Sequence, residues 1–149
     1  VENDKNNFDL EQQINSSQKN RTVSITDAIT SAAYTIARNA KAKAIVTFSV
    51  SGKTSMRMAK ERAPVLVIGL SPNLHTARKV QMAWGVYSGH SEDAQNATEM
   101  VSIACTTIKD KKLAEPGDTI VITAGVPFGN AGSTNLLRIA KIIDNKDLT

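Results

Sequence analysis

The sequence is poor in the residues that staple, span or stack. It has one cysteine, Cys105, among 149 residues, so it cannot build an internal disulfide framework, and a reducing, cytoplasmic setting is expected. No apolar run approaches the length of about 20 residues that spans a bilayer, and no signal-peptide pattern opens the chain. Only six residues are aromatic (three Phe, two Tyr and one Trp), and none alternates with bases as a nucleic-acid stacking platform requires. Charge of one sign is not concentrated either. The formal net charge is +4, but the 18 Lys and Arg are scattered among 14 acids. The densest cluster, "KDKK" at 109–112, falls late in a helical pattern, where lysines suit the helix dipole. Neither a nucleic-acid nor a membrane partner is therefore expected.

What is present fits one α/β domain. Residues 1–21 are polar, rich in Asn and Gln, and read as a linker or tail; a start on Val hints at a piece of something longer. The domain is expected over 22–149. Ser24 with Asp27 resembles a capping box, followed by a helix whose apolar face is Ile25, Ala28, Ile29, Ala32, Ala33, Ile36 and Ala40. "AIVTFSV" (44–50) and "PVLVIGLS" (64–71) are short β-branched runs without helical spacing, hence buried strands. Between them, 52–62 reads as a helix with Met56, Ala59 and Ala63 inward. A helix over 72–84, a strand over 85–90 and a long helix capped by Ser91 and running to Lys112 follow. "DTIVITAG" (118–125) is a strand. Residues 135–143 are a strand or a short helix, and a hairpin connection favours the strand. Strands alternating with helices imply a three-layer architecture: a mostly parallel five-stranded sheet with helices on both faces and the last strand antiparallel.

The chemistry centres on "SVSGKTSM" (49–56). Gly52-Lys53-Thr54 matches the end of a P-loop, but that motif needs glycine at position 47, which is Thr47, and an acid at another strand end for Mg²⁺. Neither is found. What survives is a Ser/Thr-rich turn at a helix N-terminus, with unpaired amides, a positive dipole end, the hydroxyls of Ser49, Ser51 and Thr54, and the charge of Lys53. The bland alternative is that Ser51 merely caps the helix and Lys53 is solvated. "AGVPFGNAGST" (124–134) is longer than an ordinary hairpin loop and rich in glycine, as binding loops are. If strands 45–47 and 120–123 are neighbours, the two loops open on one side.

Together, "TDAITSAAYTIARNAKAKAIVTFSVSGKTSMRMAKERAPVLVIGLSPNLHTARKVQMAWGV" and "AEPGDTIVITAGVPFGNAGSTNLLRI" resemble the C-terminal domain of pyruvate kinases over about 22–143. The resemblance implies an effector-binding and subunit-contact domain. The parent enzymes are usually homotetramers. They transfer phosphate between phosphoenolpyruvate and ADP in a separate (β/α)₈ barrel that uses Mg²⁺ and often K⁺; nothing here looks like that barrel, so no catalytic residue and no cofactor are expected in this chain. The resemblance assigns the effector phosphate to Ser49, Val50, Ser51, Gly52, Lys53 and Thr54. It assigns the closing loop to Gly125, Val126, Pro127, Phe128, Gly129, Asn130, Ala131, Gly132 and Ser133.

Members that bind fructose 1,6-bisphosphate hold its second phosphate with an arginine whose position falls near Met100 here. Residues 91–108 contain no Arg or Lys, so a sugar monophosphate or AMP is the expected effector. Two other readings remain open: a purely structural assembly domain with a vestigial site, and a small stand-alone enzyme handling a phosphorylated ligand. His75 and His90 read as surface histidines, Cys105 as a small buried hydrophobe, Trp84 as core or subunit packing, and Asp118 as a turn residue.

Overall fold

A computed structural model describes residues 24–63, 65–129 and 134–143; the tail expected over 1–21 lies outside them. The elements are α1 (Ile25–Asn39), β1 (Ala44–Phe48), α2 (Lys53–Lys60), β2 (Leu66–Ser71), α3 (Leu74–Gln81), β3 (Val86–His90), α4 (Ala97–Asp110), β4 (Thr119–Ala124) and β5 (Leu136–Lys141). The strands form one sheet in the order β3-β2-β1-β4-β5. All neighbours are parallel except β4 and β5, which pair antiparallel. The five-stranded, mostly parallel sheet with an antiparallel last strand is the expected one, and 136–141 is strand rather than helix.

Alternation along each strand sends residues to opposite faces. Ala44, Val46, Ile68, Leu70, Ile120 and Ile122 point to one face and pack under Met100, Ala104 and Ile108 of α4. Ile45, Val67 and Val121 point to the other, under Ala33 and Ala37 of α1 and Met58 of α2. A side chain at Gly69 would overlap Ser55 of α2 and Val80 of α3, so α3 shares that second face. Among the described residues three helices therefore cover one face and one covers the other.

Ser24 caps α1 through the reciprocal bonds of a capping box, with Asp27 as the acid. The face of α1 is the expected one in part. Ala33 is buried and Ile36 packs against the same cluster, as expected; Thr30 and Ala37 are buried too, whereas Ile25, Ala28, Ala32 and Ala40 are exposed. Thr30 satisfies its hydroxyl on the Thr26 carbonyl (2.8 Å), so a polar residue can face inward at no loss. The buried residues of α2 are Thr54, Ser55 and Met58, with Met56 and Ala59 only half-buried; Ala63, beyond the end of the helix, packs against the apolar cluster as expected.

The long helix begins later than Ser91 implies. Asn96 is its cap, accepting from the Glu99 amide at 2.8 Å, while the Glu99 carboxylate accepts from the Gln95 amide at 2.8 Å. Ser91 instead continues the sheet ladder, donating its amide to the Ser71 carbonyl (3.0 Å). Trp84 is 79% exposed, which overturns core packing for this ring; the Arg62 guanidinium sits 5.8 Å from its centroid. Asp118 is a turn residue, as expected, accepting from the Glu115 amide.

Candidate functional site

The site is built where β1 runs into α2. The ladder persists one residue past β1, with the Ser49 amide donating to the Leu70 carbonyl at 3.0 Å. The chain then turns sharply, and the Ser49 hydroxyl accepts from the Gly52 amide at 2.9 Å. Gly52 is left-handed (φ +77°), and a Cβ there would lie 2.7 Å from Val80 Cγ2 and 3.0 Å from Thr76 Cγ2 of α3. Both conformation and close approach require glycine. Thr76 pins the turn from the same side by donating its hydroxyl to the Val50 carbonyl (2.9 Å).

Gly52, not Ser51, is the residue that caps α2, and it has no side chain with which to do so. The Ser51 hydroxyl is only at 3.5 Å from the Lys53 amide. The N-terminal amides of α2 are thus left for another acceptor.

Behind the turn, hydroxyls replace hydrocarbon. Thr47 and Ser55 pair at 2.6 Å, and Thr54 pairs with Thr134 at 2.5 Å, all four buried. The second pair ties α2 to the far end of the glycine-rich loop. Thr123, beside Thr47 in the register, is fully buried with its hydroxyl unpartnered among the described residues.

The loop after β4 is clasped at its base by Asn135, whose side-chain amide accepts from the Val126 amide and donates to the Val126 carbonyl, both at 2.8 Å. Val126–Pro127 is a cis peptide. Phe128 packs against the apolar core under α4. Gly129 (φ +84°) comes so close to Asp93 that a Cβ would lie 2.7 Å from its Oδ2. Residues 125–129 thus reach the segment that follows β3, and the two meet beyond the carboxyl ends of the strands.

A cleft results beneath 125–129, the arch of the loop. Phe48, Ser49, Val50 and Ser51 line it from the turn, Ala124, Gly125, Phe128, Gly129 and Thr134 from the loop, and Pro72 and Asp93 from the β2 and β3 ends. Counted out to open solvent its volume is about 470 Å³. Of the residues expected at a phosphate, Ser49, Val50 and Ser51 line the cleft directly. Gly52 is buried behind them, Thr54 pairs its hydroxyl with that of Thr134, which lines the cleft, and Lys53 is exposed on the first turn of α2. Of the closing loop, Gly125, Phe128 and Gly129 line the cleft, while Val126 and Pro127 are exposed. Asn130, Ala131, Gly132 and Ser133 lie outside the described residues.

Met100 is fully buried in the core and away from the cleft. The residue that the segment between β3 and α4 does contribute is Asp93. Sequence reasoning missed it because 91–96 reads as the first turn of a helix. His75 and His90 are exposed, and His90 Nε2 contacts the Pro72 carbonyl at 3.0 Å. Cys105 is half-buried in α4, and burial pushes its thiol above the ordinary value, against a weaker opposite pull from Lys109. Among the described residues no three His, Cys, Asp or Glu gather as a metal donor set, and no helix is long and apolar enough to cross a membrane.

A profile for the pyruvate kinase alpha/beta domain matches residues 27–140. The chain belongs to the pyruvate kinase C-terminal alpha/beta domain family. It is 40% identical over 114 residues to a pyruvate kinase of Methylorubrum extorquens, covering 76% of this chain and 24% of that protein. With a pyruvate kinase of Geobacillus stearothermophilus it shares 38% identity over 126 residues, covering 85% of this chain and 22% of the relative. A crystal structure of a pyruvate kinase from Cryptosporidium parvum superposes with a TM-score of 0.73 at 25% identity, over 82% of this chain and 23% of that one. The chain thus spans about a quarter of the length of these pyruvate kinases.

Proposed function

We propose that this chain is the effector-binding and subunit-contact domain of a pyruvate kinase, and that it holds a phosphorylated small molecule between the 49–54 turn and the 125–129 arch. The observation that carries the reading is the left-handed Gly52 turn, which gives α2 no side-chain cap from its N-cap residue, next to the cleft lined by Ser49, Val50 and Ser51. A phosphate there would meet the positive end of the helix dipole. The Ser49 hydroxyl accepts from Gly52 and keeps its own proton to donate to a phosphate oxygen. Lys53 adds a formal charge from the first turn of α2. Among the described residues that line the cleft there is no Lys, Arg or His, so a monophosphate, either of a sugar or AMP, suits it better than fructose 1,6-bisphosphate. Isothermal titration with ribose 5-phosphate tests the reading: saturable binding by the wild type, weakened at least about tenfold in Lys53→Glu, is expected. Equal affinities, or none, would leave a purely structural domain.

Phosphoryl transfer from phosphoenolpyruvate to ADP belongs, in this reading, to a separate barrel of the parent protein, together with Mg²⁺ and K⁺. No step is derived through these ions. In a coupled assay the chain alone is expected to show no turnover; turnover above background would favour a stand-alone enzyme.

The subunit contact is supported by exposed apolar side chains. Ile25 of α1 and Ile139 of β5 are 65% and 51% exposed, and among the described residues β5 is an edge strand with one side unpaired. Both suit a homo-oligomer, a tetramer in the full-length enzyme. Sedimentation of the chain at high concentration is expected to show self-association that Ile139→Glu abolishes; a strictly monomeric wild type would assign assembly to the barrel.

A further inference from the structure

We infer that Asp93 is a specificity-determining residue of the cleft: its carboxylate selects ligands that are anionic at one end only and carry a hydrogen-bond donor, a hydroxyl or an amine, at the other. The inference rests on the phosphate reading of the 49–54 turn and adds the opposite pole of the site. Asp93 is the only charged side chain that lines the cleft among the described residues. It is half-buried, and its carboxylate has no hydrogen bond or ion pair among the described residues, only its backbone carbonyl accepting from Gln95. Gly129 closes directly upon it, with room for no side chain between. The arch therefore holds a carboxylate facing a space whose other wall is the amide-rich turn. An ionised carboxylate only accepts hydrogen bonds, so it pairs with a hydroxyl or ammonium group and repels a second phosphate. Like charges at such short range disfavour each other, so a second phosphate beside Asp93 is penalised. The cleft is thus dipolar, and a bisphosphate matches only one half of it.

The test is a titration of the full chain with two probes, ribose 5-phosphate and fructose 1,6-bisphosphate, in the wild type, Asp93→Asn and Asp93→Ser. The wild type is expected to prefer the monophosphate. Asp93→Asn keeps the shape and removes the charge, and should shift the ratio of the two affinities toward the bisphosphate by about tenfold or more. Asp93→Ser, which also removes the charge but shortens the side chain, should shift it in the same direction, so the result does not depend on one variant folding well. If both variants keep the wild-type ratio, or if the wild type already prefers the bisphosphate, the role of Asp93 is overturned while the phosphate site stands. If neither probe binds any of the three proteins, the phosphate reading itself fails and this inference with it.

Discussion

The two faces of the sheet are built from different materials. Under α4 the core is hydrocarbon: Val46, Ile68, Leu70, Ile120 and Ile122 meet Met100, Ala104 and Ile108, which are the residues that this helix buries. Under α1, α2 and α3 the apolar cluster is smaller and stops short of the cleft, where Thr47, Thr54, Ser55, Thr123 and Thr134 are buried instead. The difference marks a division of labour. Hydrocarbon burial is non-directional and fixes only that the layers stay together. Paired hydroxyls fix a direction and a distance, and here they hold the first turn of α2 against β1 and against the far end of the arch. The same fold thus has a face that supplies stability and a face that supplies geometry.

Breaking the first face should cost stability and leave the site's selectivity untouched. Ile108→Ala, at a fully buried position, is expected to destabilise by about 2–5 kcal/mol, read as a lower urea midpoint with the ratio of mono- to bisphosphate affinity unchanged. Breaking the second should do the reverse. Gly52→Ala meets a left-handed backbone and the Val80 and Thr76 methyls; we expect about 1–3 kcal/mol of destabilisation together with loss of phosphate binding. Thr47→Val leaves the buried Ser55 hydroxyl without its 2.6 Å partner and should cost about 1–2 kcal/mol. Removing both hydroxyls, Thr47→Val with Ser55→Ala, should cost less than the sum of the single changes, which a double-mutant cycle in urea measures.

The smallest effect concerns the outer rim of the second face. Hydrogen bonding from Ser24, aided by the Arg57 guanidinium, holds the Asp27 carboxyl below its ordinary value. A lowered folded-state value means that this stability is present at neutral pH and is lost as pH falls below about 4. The wild type should therefore lose slightly more stability than Asp27→Asn between pH 5 and 3, as followed by thermal melts; parallel curves would show that the pair contributes nothing.

Much of the fold could be read from the chain because its strands are short contiguous apolar runs and its helices carry recognisable ends. The errors fall where local signals compete. Ser91-Glu92-Asp93 has the composition of a helix start, yet Asn96 with Glu99 makes the better box, and Ser91 is taken by the sheet. The apolar pattern of α1 includes residues that face outward, and a polar residue, Thr30, can face inward because its hydroxyl bonds its own turn. At the site, the turn was legible because a glycine between a β-run and a helix has few other uses. Asp93 was not, since its place depends on the loop after β4 meeting the segment after β3. No spacing in the sequence encodes that contact.

The most direct test of the central claim is an amide-resolved NMR titration of the chain with ribose 5-phosphate. The account predicts saturable shifts concentrated at the amides of Ser49, Ser51, Lys53, Thr54 and Ser55, with smaller ones at Gly125 and Gly129 and none along α4. Saturable shifts confined to another surface, or no saturable shift at the 49–55 amides at millimolar ligand, would contradict it.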